Sequence, residues 1–473
     1  MASRGGETER NTAAEQPAGA RMGSLLLTNG SFSEKTLSAP HRVARSNTYP
    51  GPNAMHVTIA VVGCLDTKGE EVQFLKSVIE GEGHRAHVVD AGVLGEPPFA
   101  ADTSRQAVAI AGGAPLEDLR AAGDRGKAIA VMSEGAAKIV SDLYAQKLIH
   151  GVVAAGGSAN STIGTAAMRA LPVGFPKLMV STLASGDVSH YVDTKDITLM
   201  YSVVDVAGIN RISAKILANA ARAVIGMAAG KPLAAESSRW SKPLLAATMF
   251  GVTTPCVTEA RKVLEAAGYE VLVFHATGTG GRAMEGLIED GYIAGVLDVT
   301  TTELADELVG GILSAGPRRL TVAGAAGVPQ VVSLGALDMV NFGPRPTVPA
   351  KFADRKFYQH NAAVTLMRTT AEENAELGAR IASRLNGARG PVRVLIPLRG
   401  VSLYAKAGGP FYDPEADAQC IAQLKKELRP EIEARELDTD INDPEFARAA
   451  ANALIEMLQK TAHSENPGRT HTA

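Results

Sequence analysis

From residue 57 onwards, short apolar runs alternate with longer segments whose apolar residues recur at helical spacing. The short runs indicate buried strands and the longer segments indicate helices. In the first half we expect strands at 57–62, 87–90, 151–155 and 176–181, and helices at 66–82 (or a loop and then a helix), 125–146, 162–171 and 206–229. Single strands that alternate with helices form parallel sheets through right-handed crossovers. The pattern therefore predicts an α/β fold.

The pattern begins again after the polar stretch 234–242, which predicts a second domain. VTIAVVG in the first half and LLAATMFG in the second are each followed by a helix, a glycine and another strand. Gly63 would match Gly251, and Gly83 would match Gly268, as in an internal duplication. We expect an α/β protein of two doubly wound, Rossmann-like subdomains with parallel sheets and a cleft between them. Such units are alike in many proteins, so the repeat predicts architecture and not chemistry.

The ends of the chain have a different composition from the part between them. The first 53 residues are rich in Ser, Gly, Ala, Pro and Arg, which predicts a disordered leader. A transit peptide is the alternative, although several glutamates make the segment less acid-poor than such peptides usually are. The expected parts are a leader at 1–54, a first α/β domain at 55–235, a second α/β domain at 240–462 and a disordered tail at 463–473.

The composition suits a folded protein and excludes some partners. With 473 residues, 45% of them hydrophobic, the chain is too long for one ordinary core. A formal net charge of -3 and a single tryptophan give no general attraction to nucleic acid or to an anionic membrane. We find no uninterrupted apolar run of the roughly 18 residues that a membrane helix requires, so we expect a soluble protein.

The three cysteines indicate a reducing compartment, and we expect a cytoplasmic protein. Cys64, Cys256 and Cys420 lie far apart, without the paired spacing of a disulfide framework or a structural zinc site. Cys256 lies near an expected helix start, where the helix dipole lowers the pKa of a thiol. A buried, unreactive cysteine is the alternative that we favour, because Cys64 holds a comparable place in the first domain.

Two glycine-rich loops follow expected strands, GGSANST at 156–162 and ATGTGG at 276–281. Each lies at the carboxyl end of its strand, where open α/β sheets bind ligands. Glycine allows the backbone to approach a ligand, and Ser and Thr add hydroxyl donors beside exposed N–H groups, so such loops suit phosphates. Neither loop is a Walker A sequence or a full GxGxxG motif. A tight turn without a ligand therefore remains an equal alternative for each.

Two further loops in the first domain carry polar side chains at strand ends. The first expected strand leads into Asp66, Thr67 and Lys68. A lysine there can pair with phosphate, and Asp66 can hold a divalent ion through water. Asp66 can equally be the N-cap of the following helix. A second loop, STLASGD at 181–187, again offers hydroxyl groups and a glycine.

Four motifs in this order resemble a known family. LDTKGEE, AAGGSANSTIG, STLASGD and DITLMYSVVDVAGIN are together similar to the ATP-binding amino-terminal region of the tomato mosaic virus resistance protein and its bacterial relatives. The resemblance continues through FGVTTPCV, FHATGTGGRAME, VTTTELADELVGG, QHNAAVTLMRTT and LRGVS and covers 55–458. Several ordered motifs are far more specific than one glycine loop. The plant protein's separate carboxyl-terminal barrel domain has no counterpart here, so no activity of that domain is expected.

The resemblance implies that the first subdomain binds ATP with Mg²⁺ and that the protein is a homodimer. It places one glycine loop on the phosphates, with a second loop facing it and a third nearby. The residues are Gly156, Gly157, Ser158, Asn160, Ser161 and Thr162 in the glycine loop, Asp66, Thr67 and Lys68 in the facing loop, and Ser181, Thr182, Ser185 and Gly186 in the third. Ala159 stands where many relatives have glycine, which costs backbone freedom but no hydroxyl donor.

The second domain carries polar residues that suit catalysis on a small carboxylate or carbonyl substrate. The expected catalytic residues are His275, Glu285, His360 and Arg368. A histidine can serve as general acid or base, and an arginine can bind a carboxylate. For each single histidine, a buried or capping imidazole with no catalytic task is the alternative.

Two functions follow from these residues. The first is an ATP-dependent enzyme with the nucleotide in the first domain and a small-molecule substrate in the cleft or the second domain. The second is a non-catalytic, nucleotide-sensing dimer that binds a macromolecular partner. The polar residues of the second domain favour the enzyme, because a sensor does not need them.

Overall fold

The structure, a computed structural model, describes residues 56–230 and 242–465, with side chains to residue 461. These residues belong to one compact unit, Ala54–Ala473. We call 56–230 lobe one and 242–465 lobe two. The expected leader, the junction 231–241 and residues 466–473 of the expected tail lie outside the described residues.

Lobe one is built on a parallel five-stranded sheet of order β2-β1-β3-β4-β5. Its strands are β1 (Thr58–Gly63), β2 (Arg85–Asp90), β3 (Gly151–Gly156), β4 (Lys177–Ser181) and β5 (Thr198–Tyr201). Its helices are α1 (Leu65–Gly81), α2 (Arg105–Ala111), α3 (Leu116–Ala122), α4 (Arg125–Ala145), α5 (Ser158–Arg169), α6 (Ser189–Val192) and α7 (Arg211–Ala229).

Helices cover both faces of this sheet because its central strands are apolar on both sides. Every residue of β3 and β4 is buried. Helices α1 and α7 pack on one face around Ile59 and Val61, and α2 to α5 pack on the other around Ala60 and Val62. This burial on two sides explains why the strands are nearly continuous apolar runs rather than alternating ones.

Lobe two has a parallel six-stranded sheet of order β14-β13-β9-β8-β6-β7 and an antiparallel three-stranded sheet of order β10-β12-β11. Its strands are β6 (Leu244–Met249), β7 (Glu270–His275), β8 (Ile293–Thr300), β9 (Gln330–Gly335), β10 (Met339–Phe342), β11 (Phe357–Asn361), β12 (Val364–Arg368), β13 (Val392–Pro397) and β14 (Glu433–Leu437). Its α-helices are α8 (Thr254–Ala266), α9 (Thr279–Glu289), α10 (Glu303–Val309), α11 (Val322–Ala326), α12 (Ala371–Asn386), α13 (Pro414–Glu427) and α14 (Pro444–Glu465).

The two parallel sheets share a topology. In each, the second strand lies on one side of the first strand and the third strand lies on the other, so the strand order reverses at β1/β3 in lobe one and at β6/β8 in lobe two. Ligands of open α/β sheets bind beyond the carboxyl ends of the strands at such a switch point. The expected fold class, two doubly wound α/β subdomains with parallel sheets, is confirmed.

Three helices of lobe one begin elsewhere than expected. Helix α5 starts at Ser158 rather than at 162, because the turn needs only the two glycines before it, and Gly156 has a φ of 153°. Helix α7 starts at Arg211 rather than at 206, since Asn210 and Ser213 form a capping box ahead of it. Helix α1 starts at Leu65 and has a kink at Lys68.

Helix α7 reaches the length and composition of a membrane span, which was not expected from the sequence. It has 19 residues and a mean hydropathy of 1.3. Its buried side chains, among them Leu217, Ala221 and Val224, pack in the core with α1 and the sheet. Of its apolar window 33% is buried, so packing in the core accounts for part of its apolar composition.

Candidate functional site

Three loops of lobe one meet at the carboxyl edge of its sheet. Asn160 Oδ1 accepts a hydrogen bond from Cys64 N at 3.1 Å, which joins the loops that follow β1 and β3 across the switch point. The hydroxyl groups of Ser161 and Ser181, 2.7 Å apart, join the first turn of α5 to the end of β4. The structure therefore brings together the loops that were expected to surround the phosphates.

The amino terminus of α5 is open. Gly157 is its N-cap and has no side chain, so no side-chain hydrogen bond caps the helix. The first N–H groups of a helix have no partner within the helix and carry its positive partial charge, so they attract anions. The side chain of Ser158 is exposed beside this terminus. Thr182 is partly exposed, and its hydroxyl lies 3.8 Å from the position that a Cβ of Gly157 would occupy.

The other expected phosphate hydroxyls mainly support the loops. The side chains of Ser161 and Ser181 are buried and bind each other, and Ser181 Oγ also accepts from Leu183 N. Thr162 Oγ1 donates to the backbone oxygen of Ser158 at 2.9 Å. Ser185 and Gly186 lie in an exposed turn after β4.

Asp66 holds two loops together and is not a helix cap. The N-cap of α1 is Cys64, so the N-cap interpretation of Asp66 is wrong. Its Oδ2 accepts from Val93 N at 2.9 Å and from Leu94 N at 2.7 Å, which fixes the loop after β2 against the first turn of α1. Thr67 beside it is exposed.

Lys68 is turned away from the expected phosphate position. Its Nζ donates to the backbone oxygen of Val206, in the segment before α7. Helix α7 covers the face of the sheet opposite to α5. The expected pairing of this lysine with phosphate therefore requires it to leave Val206.

A cavity of about 410 Å³ opens beside the amino terminus of α5. Asp66, Thr67 and Ala159 line it at the sheet edge, and the loop after β2 with helices α3 and α4 form its other walls. Arg120 of α3 also lines it and was not found from the sequence, because the short helix α3 gives no clear pattern. Asp66 Oδ1 and Arg120 Nη2 are buried there without a hydrogen-bond partner.

Cys64 and Cys256 both have raised thiol pKa values in this structure. Burial, with the nearby carboxylate of Asp66, raises the pKa of the Cys64 thiol to about 12. Burial also raises the pKa of Cys256 to about 12, whereas activation by the dipole at the start of α8 would lower this pKa. A packing role for Cys256, the favoured alternative, therefore fits the structure.

The second glycine loop binds a carboxylate of the protein itself. Gly278 N and Gly281 N donate to Glu303 Oε1 at 2.7 Å and 3.1 Å. A side chain at Gly280 would collide with the backbone of His275. The alternative reading of ATGTGG, a tight turn without a ligand, therefore describes this loop.

Glu303 belongs to a buried charged cluster centred on Arg319. The Arg319 guanidinium binds both oxygens of Asp298, at 2.5 Å and 2.6 Å, and its Nε donates to Glu303 Oε2 at 2.6 Å. Burial alone would lower the pKa of Arg319, but the two carboxylates raise it well above its usual value. The guanidinium is therefore charged and held by protein groups.

The four expected catalytic residues do not form one site. Within the described part of the chain, none of His275, Glu285, His360 and Arg368 forms a hydrogen bond to another through its side chain. His275 is exposed and stacks on Phe250, with ring centroids 5.4 Å apart. His360 is also exposed, and its Nδ1 lies 3.2 Å from the hydroxyl oxygen of Tyr404.

Arg368 is enclosed by acceptors of the protein. Its Nε donates to Phe411 O at 2.9 Å, and its two terminal nitrogens donate to Thr369 Oγ1 at 2.7 Å and Asp417 Oδ1 at 2.5 Å. The side chain is 4% exposed. The expected contact of Arg368 with a substrate carboxylate therefore has no support, and its geometry is that of a structural residue.

Glu285 is the one expected catalytic residue that lines a cavity. This cavity, of about 420 Å³, lies between the lobes and also contains Arg169, Lys195, Arg282 and Arg318. Burial raises the pKa of Glu285 to about 7, although Arg319 acts in the opposite direction. Its carboxyl group can therefore exchange a proton near neutral pH.

The lobes contact each other directly beside this cavity. Lys195 of lobe one and Asp290 of lobe two form an ion pair of 2.8 Å, with both side chains largely buried. Asp290 also accepts from Val173 N, and the Tyr292 hydroxyl donates to Val173 O, each at 2.8 Å. These bonds form a polar contact between the lobes.

The fold and site define a two-lobed α/β protein with a candidate anion site in lobe one. The chain matches the models of the Uncharacterised protein family (UPF0261) over residues 57–232 for the N-terminal domain and 242–458 for the C-terminal domain. It therefore belongs to the UPF0261 family.

Relatives occur in bacteria and in tomato. The chain is 53% identical to a UPF0261 protein of Clostridium tetani over 86% of this chain and 100% of that protein. It is 44% identical to the ToMV resistance protein Tm-1 of Solanum lycopersicum over 72% of this chain and 46% of that protein. The structure of a putative UDP-N-acetylglucosamine 2-epimerase from Listeria monocytogenes aligns with 89% of this chain and 100% of that one, at 10% identity and a TM-score of 0.20.

Proposed function

We propose that this protein binds ATP at the carboxyl edge of the lobe one sheet, with the phosphates at the amino terminus of α5. The observation that carries this proposal is the uncapped α5 terminus at the β1/β3 switch point, beside a cavity of about 410 Å³. Free N–H groups and the helix dipole favour phosphate there. The resemblance of the chain to an ATP-binding region supports the same ligand.

Most residues of the expected phosphate loops have a part in this proposal. The glycines bring the backbone close to the phosphates, and Ser158 and Thr182 offer hydroxyl donors. Asn160, Ser161 and Ser181 fix the loops through their mutual hydrogen bonds. Lys68 holds the segment before α7 and contributes its charge from a distance.

Mg²⁺ would arrive with the nucleotide. Among the described residues, no group of three or more His, Cys, Asp or Glu side chains is placed to hold a metal ion. Mg²⁺ in proteins commonly binds through substrate phosphates and only one or two carboxylates. In this proposal the ion neutralises phosphate charge, while the protein holds the phosphates.

Calorimetric titration of ATP into the full-length protein, with and without Mg²⁺, tests the proposal. We expect saturable binding of one nucleotide per chain that inorganic tripolyphosphate competes with. A phosphate-release assay on the same sample shows whether ATP is also hydrolysed. Absence of ATP binding in both titrations would contradict the proposal.

A second candidate function, ATP-dependent catalysis on a small carboxylate, has support from the cavity between the lobes. Glu285 there has a pKa of about 7, and Arg169 and Arg282 can pair with a substrate carboxylate. Small carboxylic acids that accelerate phosphate release in the native protein, but not in Glu285→Gln, would support this function. Glu265→Gln changes an exposed glutamate of α8, which does not line this cavity, and provides the control.

Binding of ATP without turnover would favour the other function, a nucleotide-sensing dimer that contacts a macromolecule. The printed name of the tomato relative, a ToMV resistance protein, is the support for a macromolecular partner. Sedimentation of the protein with and without ATP would show whether a dimer forms and responds to the nucleotide.

A further inference from the structure

The cavity of about 420 Å³ between the lobes has cationic side chains that the protein does not fully neutralise. Of the four that line it within the described ranges, Lys195 and Arg318 form close ion pairs with neighbouring carboxylates. The other two, Arg169 and Arg282, share the single carboxylate of Asp193. The lining therefore has a surplus of positive charge that attracts an anion.

Arg169, the last residue of α5, uses only part of its guanidinium to hold the protein. Its Nη1 donates to Tyr191 O at 2.6 Å and to Thr165 Oγ1 at 3.2 Å. Its Nε and Nη2 have no hydrogen-bond partner among the described residues, and neither atom is fully buried. Burial lowers the pKa of Arg169, and the nearby carboxylate of Asp193 acts in the opposite direction. The bonds of Nη1 thus fix the guanidinium and leave donors for a ligand of the cavity.

Arg282 approaches the same carboxylate from lobe two. Its Nη2 lies 3.6 Å from Asp193 Oδ1, which is longer than a hydrogen bond, and both side chains are 44% exposed. Because Asp193 is close to Arg169 as well, the two guanidinium groups converge from opposite lobes. A carboxylate of a ligand can therefore bind both arginines and compensate the charge that Asp193 leaves.

Glu285 adds a hydrogen-bond acceptor beside Arg282. It follows Arg282 by three residues in α9, so the two side chains are neighbours on the helix surface, and both line the cavity. Its Oε1 accepts from Leu320 N at 2.7 Å. Its Oε2 has no hydrogen-bond partner among the described residues and is not fully buried. This oxygen can accept from a donor of a ligand whose carboxylate is bound by the arginines.

We propose that the cavity between the lobes selects carboxylic acids with a hydrogen-bond donor, a hydroxyl or an ammonium group, on the carbon next to the carboxylate. Arg169 and Arg282 bind the carboxylate, and Glu285 accepts from the donor. Ala315 and Val322 also line the cavity and offer apolar contacts to the rest of a short carbon chain. This inference rests on the second candidate function and narrows its class of substrate.

Titration of the full-length protein with butanoate, 2-hydroxybutanoate and 2-aminobutanoate tests the inference, because these acids share one carbon chain and differ in the donor. Ligand-observed NMR follows binding at pH 8, above the pKa of about 7 of Glu285, so that this side chain is an acceptor. We expect one or both of the donor-bearing acids to bind about tenfold more tightly than butanoate. The comparison of these two acids shows whether the donor is a hydroxyl or an ammonium group.

Three variants locate the two parts of the recognition. In Glu285→Gln the amide oxygen can keep the hydrogen bond from Leu320 N, which places an NH₂ group at the free position. The donor-bearing acids should then lose their advantage, while butanoate affinity should not fall. Arg282→Met should lower the affinity for all three acids about tenfold, because it removes a charged donor. Arg261→Met changes an exposed arginine of α8 that does not line this cavity and should leave the three affinities unchanged.

The outcomes separate this inference from the proposed function. Equal affinity of the native protein for the three acids, binding of none of them, or an advantage that Glu285→Gln retains overturns the inference and leaves nucleotide binding intact. Affinities that Arg282→Met does not change place the acids elsewhere and also overturn it. Selective binding without faster release of phosphate from ATP supports the inference and contradicts the catalytic function alone. Failure to bind ATP in its own titration overturns the nucleotide site alone.

Discussion

Hydrogen bonding divides the hydroxyl residues of the phosphate loop into two groups. Ser161 and Ser181 bind each other and are buried, whereas Ser158 is exposed at the start of α5. The sequence alone does not separate them, since all three serines follow apolar strands. The difference arises because α5 begins at Ser158, which turns Ser161 towards the next strand.

Replacement of Ser158 and Ser161 by alanine should therefore have different effects. Ser158→Ala should weaken ATP binding by a few-fold and leave stability unchanged, because it removes one accessible donor. Ser161→Ala should lower the free energy of unfolding by about 1 kcal/mol, because it leaves the Ser181 hydroxyl without its partner. Titration calorimetry and urea unfolding of both variants measure the two effects. Equal loss of stability in both would contradict this division.

Arg319 is the centre of a buried charged cluster in lobe two. It is fully buried and compensates the charges of Asp298 and Glu303. Arg319→Met should lower the free energy of unfolding by about 3–5 kcal/mol, because two buried carboxylates lose their cation. Arg318→Met removes an exposed neighbouring arginine and should cost far less. Urea unfolding compares the two, and similar costs would disprove the structural role of Arg319.

At the scale of elements, the amino terminus of α5 carries the proposed phosphate site. Ala159→Asp places a carboxylate in the first turn, where it interacts favourably with the helix dipole but occupies and repels the phosphate position. We expect ATP binding to be lost at millimolar concentration while the melting temperature is retained or rises slightly. Ala159→Ser is the matched control and should bind ATP. Normal ATP affinity in Ala159→Asp would place the phosphates elsewhere.

The strands at the centre of the lobe one sheet were predictable because buried apolar runs give a strong pattern, and the loops at 156–162 and 181–186 were placed at the correct edge. Neither the strand order nor the antiparallel sheet of lobe two was predicted. The glycine loop at 276–281 was ambiguous, because its partner, Glu303, is distant in sequence and meets it only in the folded sheet. Arg120 could not be found for the same reason: its importance depends on Val93 and on a cavity between helices. Local patterns thus identify elements, while contacts between distant residues decide the chemistry.

At the scale of the whole molecule, the cavity between the lobes makes stability depend on pH. The pKa of Glu285 is raised from its usual 4.5 to about 7 mainly by burial. The folded state therefore binds this proton more tightly than the unfolded state, and the resulting stability is present below about pH 4.5 and is lost as the pH rises through 7.

Glu285→Gln should remove this part of the pH dependence. The glutamine oxygen can still accept from Leu320 N, as Glu285 Oε1 does. Relative to the variant, the native protein should lose stability between pH 5 and pH 8, on the order of 3 kcal/mol. Urea unfolding at the two pH values measures the difference. Parallel stability curves for both proteins would show that Glu285 is ionised in the same way in the folded and unfolded states.

Both lobes share one sheet topology, yet their switch points differ in chemistry. The β1/β3 edge in lobe one opens on a cavity of about 410 Å³, whereas hydrogen bonds from Thr248 to Asp298 and between Thr253 and Thr300 join the corresponding edge in lobe two. This difference is the reason why we propose the ligand site in lobe one rather than in lobe two.

A crystal structure of the full-length protein with Mg²⁺ and a non-hydrolysable ATP analogue tests this assignment most directly. Our account predicts phosphate density at the backbone N–H groups of the first turn of α5 and the base between α3, α4 and the loop after β2. Nucleotide density at the carboxyl edge of the lobe two sheet, or in the cavity between the lobes alone, would contradict it.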